Sequence, residues 1–217
     1  MPRARFLRLP RDARERLLRL ALAEFAEHGF DGASLNEILA AAGISKGSYY
    51  YYFDDKEDLF ATAIDGALDA WLSRLELPAF DRLTPAKFWP AVEAFAESSA
   101  RTLETSSDLL RASLHVNESL RRSPRFEPVL AKARLLYRTL IEAGQRLGCV
   151  RNDLPVETLV RLVEATDLVL DGTFLAANRA ASRASIAAHT RLVFDTFRRL
   201  VGARPEKRSM RRRRHDG

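Results

Sequence analysis

The sequence predicts an all-α protein, and three observations lead to that fold class. Apolar residues recur at the i, i+3, i+4, i+7 spacing of an amphipathic helix along most of the 217-residue chain. Helix start and stop signals separate these segments, and no segment alternates between apolar and polar residues as a half-buried strand does. Because 47% of the residues are hydrophobic, the chain has enough apolar side chains for a sizeable core.

The first predicted helix follows a short arginine-rich segment. Its apolar residues Leu18, Leu22 and Phe25 lie at helical spacing. Asp12 is the predicted N-cap, and Gly29 is the predicted left-handed stop. The sequence therefore predicts a long amphipathic helix over residues 12–29.

Two short helices are predicted next, joined across a glycine. Ser34 and Glu37 have the spacing of a capping box, which marks the start of the second helix. Gly43 ends this helix, and Ser45 is the predicted N-cap of a third helix. With only about two turns each, these helices need tertiary packing to be stable.

The third predicted helix carries four consecutive tyrosines. Because each helical residue turns by about 100°, the four rings cannot share a face. We expect Tyr49 and Tyr52 to pack toward the core, and Tyr50 and Tyr51 to be displayed beside Lys46. Two alternatives stay open: a strand, which tyrosine also favours, and a helix with a purely structural role.

Six further helices complete the predicted fold. Asp54 or Asp55 caps the fourth, and Pro90 predicts either a bend or a later start in the fifth. The predicted ranges after the fourth helix are about 84–105, 108–121, 124–148, 155–178 and 182–201.

Composition and charge bear on the class of protein. One cysteine excludes an intramolecular disulfide, no apolar run approaches the ~18 residues of a membrane helix, and the N-terminus has no apolar signal segment. We therefore expect a soluble, cytoplasmic protein that makes no membrane contact. The net charge is +6, and residues 204–217 hold seven arginines and lysines against two acidic residues. This basic tail fits either polyanion binding or a disordered solubilising segment.

Enzyme, metal and cofactor sites have no support in the sequence. The four histidines, His28, His115, His189 and His215, are far apart and lack metal-ligand spacing. No phosphate-binding glycine loop or nucleophile elbow is present, and Cys149 has no neighbouring base. We expect a protein that is not an enzyme, binds no metal and needs no cofactor.

A short helix that follows another across a glycine turn is the helix-turn-helix plan, in which the second helix enters the major groove of DNA. The segment "ASLNEILAAAGISKGSYYYYFDDKEDLF", residues 33–60, resembles the DNA-binding segment of the tetracycline-repressor (TetR) family of transcriptional regulators. The similarity covers about residues 12–60. A helical scaffold without specific DNA binding remains the rival interpretation.

The predicted DNA contacts combine residue chemistry with this resemblance. Gly47 allows close backbone approach, hydroxyl groups donate to phosphate oxygens, and a lysine adds positive charge. The resemblance adds phosphate contacts at the starts of the second and fourth helices, and Tyr51 stands where the family often has histidine. The complete predicted set is Ser34, Ser45, Lys46, Gly47, Ser48, Tyr50, Tyr51 and Lys56. The arginine-rich arm fits either DNA contact or disorder.

The resemblance also implies domains and a mode of action. It divides the chain into a basic arm (1–11), a DNA-binding domain (12–56), a helical effector-binding and dimerisation domain (57–203) and a basic tail (204–217). It implies a homodimer that binds an inverted-repeat operator in double-stranded DNA and a small lipophilic effector that releases the protein from the operator. In this family, repression of transcription is more common than activation. The predicted dimer-interface residues, which fit intramolecular core equally, are Leu170, Phe174, Phe194 and Phe197.

An effector pocket is predicted from aromatic residues in the middle of the chain and a few polar groups near them. The predicted lining, for which ordinary core is the alternative, is Trp71, Phe88, Phe95, Arg111, His115, Tyr137 and Thr166. Glu164, Asp167 and Asp171 form an acidic stripe. We interpret this stripe as a solvated face in preference to a site for a cationic ligand.

Overall fold

The computed structural model describes residues 2–116, 118–177 and 183–203, and their fold is all-α as predicted. Two short 3₁₀ helices, Phe6–Arg8 and Phe80–Arg82, accompany the α-helices. The basic tail, including His215, lies outside the described residues. The α-helices are α1 (Arg11–Gly32), α2 (Leu35–Ala42), α3 (Lys46–Tyr52), α4 (Lys56–Leu72), α5 (Pro85–Glu104), α6 (Ser107–Leu114), α7 (Glu118–Arg122), α8 (Glu127–Arg146), α9 (Val156–Ala177) and α10 (Arg183–Val201).

Side-chain caps define the starts of the three helices that follow α1. The Ser34 hydroxyl accepts a hydrogen bond from the backbone N–H of Glu37, and the Ser45 hydroxyl does the same for Ser48. Asp55, the second of the two predicted candidates, caps α4. These caps satisfy N–H groups that a helix start leaves unpaired, and they confirm the sequence predictions.

The two ends of α1 differ from the prediction in detail. The helix begins at Arg11 with Pro10 in the N-cap position and no side-chain cap, so the prediction of Asp12 as the cap is wrong. Asp12 lies in the first turn instead, where a carboxylate favours the helix dipole. Gly29 has φ 71° and ψ 176°, which confirms the predicted break, although one more turn follows to Gly32.

The helices after α4 depart from the prediction in two places. The helix expected over 108–121 is two helices, because α6 ends at Leu114 and α7 begins at Glu118. The N–H groups of His115 and Val116 bond three residues back, which closes α6 with tight turns. Pro90 lies inside α5, which starts at Pro85, so the later start that was one alternative for this helix is wrong.

Two clusters of buried residues hold the helices together. The first cluster joins α1 to α4 with residues of α6 and α7, and its largest buried side chains include Phe25, Tyr49 and Phe60. The second cluster joins α5, α8, α9 and α10 and includes Phe88 and Ile141. Among the described residues, no helix is both long and apolar enough to cross a membrane. The short helices α2 and α3 are thus anchored in the first cluster, which includes residues as far along the chain as Phe126.

Candidate functional site

The tyrosines of α3 divide between the core and the surface. Tyr49 is 1% exposed, and its ring stacks on Phe53 at 5.6 Å between centroids. Tyr50 and Tyr51 are 47% and 48% exposed, and Tyr52 is partly buried. The predicted division of the four rings is confirmed, and the alternative of a strand is wrong because α3 is helical.

The start of α3 presents small polar groups to solvent. Ser45, Lys46 and Gly47 are exposed, and Ser48 is half-buried. The hydroxyl oxygens of Ser45 and Ser48 lie 2.9 Å apart, with the Ser45 oxygen also capping the helix. This edge of α3 therefore combines hydroxyl groups, an ammonium group and accessible backbone, which suits contact with phosphate oxygens.

Ser34 and Lys56 lie at neighbouring helix starts. The backbone N–H of Ser34 donates to Glu24 of α1, in place of the Glu37 side chain of a full capping box. The Lys56 ammonium donates to the carbonyl oxygens of Asp31 and Ala33, each at 3.2 Å. Lys56 thus joins α4 to the α1–α2 connection, a structural role that the sequence did not indicate.

The arginine-rich arm packs against α3. The Arg3 N–H donates to the carbonyl oxygen of Tyr52, and its guanidinium reaches the carbonyl oxygen of Tyr50. Phe6 is 2% exposed and packs on Phe53 at 4.8 Å between ring centroids. The alternative of a disordered arm is therefore wrong for residues 2–10. The signal that could have revealed this is Phe6 itself, an aromatic residue within a basic segment.

Packing of the arm brings a further arginine to the exposed tyrosines. The Arg5 guanidinium carbon lies 4.2 Å from the centroid of the Tyr51 ring, within the range of a cation–π contact. No local pattern distinguishes Arg5 from the other three arginines of the arm, so this contact was not predicted. The contact adds a fixed positive charge beside Tyr50 and Tyr51.

A cavity of about 280 Å³ lies between α4, α5, α8, α9 and α10. Three of the seven residues predicted to bind an effector line it: Trp71, Phe95 and Tyr137. Most of the remaining wall is apolar, from residues such as Val92 and Leu140. A mostly apolar cavity with a few polar groups is typical of small-molecule sites.

The other four predicted effector residues lie elsewhere. Phe88 is fully buried beside Gly144, whose missing side chain leaves room for its ring: a Cβ there would lie 2.7 Å from Phe88 Cζ. Arg111 pairs with Glu27 and Asp108 at the surface of α1 and α6. The His115 ring lies against Gly29. The Thr166 hydroxyl donates a hydrogen bond to the carbonyl oxygen of Leu162.

The predicted dimer interface needs correction at two of its four residues. Phe194 and Phe197 are 6% and 8% exposed and line the cavity, so the chain's own core already buries them. Leu170 is half-buried, and Phe174 stacks on His189 at 4.3 Å between ring centroids. Instead, α9 and α10 expose other large apolar side chains: Leu162, Leu168, Val169 and Leu192. Helical spacing alone did not tell which apolar face of each helix points inward.

The acidic stripe on α9 is not a solvated face. Glu164 pairs with Arg134 at 3.1 Å, and Asp171 pairs with His189 at 2.8 Å. Asp167 is mostly buried in the cavity wall and accepts a hydrogen bond from the Tyr137 hydroxyl. Burial raises the pKa of Asp167 to about 6, and burial with the nearby Asp167 raises the pKa of Tyr137, which stays a hydrogen-bond donor.

Two buried polar atoms of the cavity wall have no hydrogen-bond partner within the described residues. They are the indole nitrogen of Trp71, a donor, and the hydroxyl oxygen of Ser99. A buried polar group without a partner costs free energy, so unpaired groups beside a cavity are candidates for contact with a bound molecule. Among the described residues, no cluster of three or more potential ligands for a metal ion occurs.

One helix connects the cavity with the part of the molecule that holds α3. α4 begins at Lys56 next to α3 and ends at Leu72, about 25 Å away at 1.5 Å per residue, and Trp71 near its end lines the cavity. On α8, Lys132 lies 2.5 Å from Asp65 and 2.6 Å from Asp69 of this helix. Ion pairs as well as packing therefore join α8, which forms part of the cavity wall, to α4.

Comparison with known proteins agrees with this architecture. Residues 17–63 match the family model described as "Bacterial regulatory proteins, tetR family". The HTH-type transcriptional repressor AcnR of Corynebacterium diphtheriae is 30% identical over 163 residues, which is 73% of this chain and 77% of AcnR. The repressor KstR2 of Rhodococcus jostii is 28% identical over 156 residues, 70% of this chain and 75% of KstR2.

Solved structures show the same fold. The transcriptional regulator FadR from Bacillus subtilis, in complex with stearoyl-CoA, aligns with a TM-score of 0.66 at 16% identity, over 84% of this chain and 96% of that chain. The TetR regulator TylP from Streptomyces fradiae aligns with a TM-score of 0.63 at 20% identity, over 88% and 87%. The chain belongs to the TetR family of transcriptional regulators. It is accordingly a helix-turn-helix DNA-binding regulator and not an enzyme.

Proposed function

We propose that this protein is a ligand-responsive repressor that binds an inverted-repeat operator as a homodimer and releases it when a small lipophilic molecule occupies the cavity. The observation that carries the proposal is the division of α3. Tyr49 fixes this helix in the core while Lys46, Tyr50 and Tyr51 remain exposed. An exposed, capped helix with hydroxyl and ammonium groups suits the major groove of DNA.

The proposed contacts are of two kinds: contacts with phosphates, which position the protein on DNA, and contacts with bases, which recognise the sequence. Ser34, at the start of α2, and Lys56, at the start of α4, lie where helix N-termini favour a phosphate. Lys46 and the hydroxyls of Ser45 and Ser48 hold the backbone on either side of the groove. The exposed rings and Gly47 face the base edges, where a tyrosine can contact a thymine methyl group.

The arm extends the proposed DNA-binding surface. Because Phe6 is buried on Phe53, Arg5 is held at the Tyr51 ring without the entropy cost of ordering a free tail on binding. Arg5 then adds a charge contact to a phosphate near α3. This role follows from its position and extends the set of residues that the sequence predicted.

Dimerisation is proposed through the exposed faces of α9 and α10. Leu162, Val169 and Gly172 follow one another along α9 at helical spacing, and all three are exposed. A Cβ at Gly172 would meet nothing within 4 Å, so this face of α9 is open for another helix. Leu192 is a further exposed apolar residue, on α10, which packs beside α9. A twofold pairing of these helices gives four helices around one apolar seam, and it matches the twofold symmetry of an inverted repeat.

Release by an effector is proposed to act through α4. A molecule in the cavity contacts Trp71 and displaces the far end of the helix whose first turn supports α3. The two states differ in the separation of the two α3 helices, and a ~100-fold loss of DNA affinity corresponds to about 2.7 kcal/mol of preference for the released state. The stearoyl-CoA complex of FadR is a precedent for a lipophilic ligand on this fold.

The test is selection from a random pool of duplex DNA by the purified protein at about physiological salt, followed by affinity measurements on the selected sequence. We expect one inverted repeat to be enriched, because two α3 helices in a dimer read two half-sites about 34–36 Å apart. Tyr50→Ala, Lys46→Ala and Arg5→Ala should each weaken binding by about tenfold, as loss of one contact of about 1.4 kcal/mol would.

Matched controls separate these contacts from general charge and folding effects. Lys87→Ala and Arg82→Ala remove exposed positive charges outside the N-terminal helices and should leave operator affinity unchanged. Tyr49→Phe removes only a buried hydroxyl and should also have no effect. Enrichment of no sequence, or equal affinity for all variants, would support a helical scaffold instead.

A further inference from the structure

We propose that the effector is a lipophilic monocation, such as an alkyl or aryl amine, whose positive charge pairs with Asp167. This inference rests on the proposed function of the cavity and assigns the charge of the molecule that fills it. The observation that carries it is the Asp167 carboxylate in a mostly apolar wall, where it accepts a hydrogen bond from the Tyr137 hydroxyl and makes no described ion pair.

The charged groups of the cavity wall favour a cation over an anion. Asp167 and Asp171 line the cavity with His189, whereas no lysine or arginine does so in the described part of the chain. An anionic molecule would face two carboxylates without a basic partner of its own. A buried charge needs a partner, and the wall offers one only to a positive group.

Among the described residues, Asp167 is the member of the acidic stripe that makes no ion pair, although His189 nearby acts on it electrostatically. On the same helix, Asp171 pairs with His189 of α10, and Glu164 pairs with Arg134 of α8. No described ion pair reaches Asp167. Its carboxylate accepts from the Tyr137 hydroxyl, and a carboxylate has room for further donors, so an ammonium group in the cavity has a binding partner there.

The rest of the wall suits the apolar body of such a molecule. Trp71, Phe95 and Phe194 surround the cavity with aromatic rings, and the faces of such rings also attract cations. The cavity volume of about 280 Å³ lies near the lower end of the range for small-molecule sites, which fits a one-ring amine. The Ser99 hydroxyl and the Trp71 indole N–H, which have no hydrogen-bond partner among the described residues, add polar contacts for a second functional group.

The protonation of Asp167 makes the binding of a cation dependent on pH. Burial raises the pKa of Asp167 to about 6, and a cation beside it lowers that pKa again. Asp171, Glu164, His189 and Tyr137 are the titratable groups that face it, while the α4 and α5 parts of the wall carry none. Cation affinity should therefore rise by up to about tenfold per pH unit below pH 6 and level off above it.

The test uses three probes of one shape and different charge: 4-phenylbutylamine, 4-phenylbutan-1-ol and 4-phenylbutanoate. Binding to the full chain is measured by isothermal titration calorimetry at pH 7.5 and pH 5. We expect the amine to bind at least tenfold more tightly than the alcohol at pH 7.5, and the carboxylate not to bind measurably. At pH 5 the amine should lose about tenfold in affinity, while the alcohol should be unaffected.

Two variants test whether Asp167 is the residue that pairs with the cation. Asp167→Asn keeps the size of the side chain and should lower amine affinity at least tenfold without changing alcohol affinity. Asp195→Asn removes an exposed carboxylate on α10 and should change neither. Equal affinity for the amine and the alcohol, or tighter binding of the carboxylate, would overturn the cation assignment while leaving an effector cavity in place. Binding of none of the three probes would count against the cation and the effector cavity together, whereas operator binding is measured separately.

Discussion

Tyr49 and Tyr50 are neighbours in the chain, and they occupy opposite environments. The Tyr49 ring stacks on Phe53 in the core, and its hydroxyl is buried with no described hydrogen-bond partner. Burial raises the pKa of this phenol, so it remains protonated. Tyr50 is half-exposed and packs one edge against the Tyr49 ring. The same residue type therefore stabilises the domain at one position and is available for DNA at the next.

This difference predicts opposite effects of substitution on stability. Tyr49→Ala should lower the free energy of unfolding by about 3–5 kcal/mol, as other buried aromatic truncations do. Tyr49→Phe should leave it unchanged or raise it slightly, because the variant removes an unpaired buried hydroxyl. Tyr50→Ala should change it by less than about 0.5 kcal/mol. Urea unfolding of the three variants checks this, and equal losses for both alanine variants would contradict the division of the tyrosines.

Asp167 illustrates how a binding group can reduce stability. Its pKa is raised from 3.8 to about 6, so the folded protein binds the proton more tightly than the unfolded chain. Ionisation of this group therefore costs stability as pH rises from about 4 to 6, and the cost is constant at higher pH. A carboxylate retained in such a place is understandable if a ligand compensates its charge.

Removal of this charge should stabilise the free protein. At about 1.4 kcal/mol per pKa unit, Asp167→Asn should raise the free energy of unfolding by about 2 to 3 kcal/mol at pH 7.5. The gain should shrink toward zero as the pH falls to 4, where the wild-type carboxyl is protonated. Chemical unfolding at several pH values measures the gain, with Asp195→Asn as the control. A gain that does not depend on pH would show that packing, not charge, is responsible.

Among the elements, α3 shows what local sequence can and cannot reveal. Its start and its exposed face follow from Ser45, from Gly43 and from 100° per residue, so the sequence predicted them correctly. Its contact with the arm did not follow, because Arg3 and Tyr52 are 49 residues apart and no local rule links them. A seven-residue helix is marginal alone, and the arm and Phe53 supply packing that holds it.

The exposed faces of α9 and α10 carry a prediction about assembly. Val169 is 66% exposed and Leu192 is 52% exposed, so a glutamate at either position should leave the fold of one chain intact. In a dimer built on these faces, Val169→Glu or Leu192→Glu would bury unpaired charges and convert the protein to a monomer. Light scattering after gel filtration measures the mass.

Leu77→Glu is the matched control, because Leu77 is 54% exposed in the segment between α4 and α5. It should leave the dimer unchanged. A wild-type protein that is monomeric at micromolar concentration would remove this surface from consideration. A dimer that persists in both α9 and α10 variants would place the interface on another face.

For the whole molecule, the fold class and the helix-turn-helix were predictable, and the cavity was predictable only in part. Helical periodicity and caps are local signals, and they give the order of the elements. The cavity is formed by five helices whose residues lie as far apart as Trp71 and Phe197. Which face of each helix points inward depends on tertiary packing. For that reason Phe88, predicted for the effector site, lies in the core, Phe194, predicted for a dimer interface, lines the cavity, and Asp167 is mostly buried.

The first cluster of buried residues also determines where this chain can be separated into a DNA-binding part and an effector-binding part. It draws on two separate stretches of chain, α1–α4 and the α6–α7 segment that ends with the fully buried Phe126. A hybrid regulator for a biosensor joins the DNA-binding domain of one protein to the effector-binding domain of another at one junction. For this chain, one junction at residue 56 would separate the DNA-binding domain from α4 residues such as Phe60, and from Ala112 and Phe126, all of which pack in the same cluster. A functional hybrid would need to include both stretches of this chain, or a foreign segment that packs against α1–α4 in place of the α6–α7 segment.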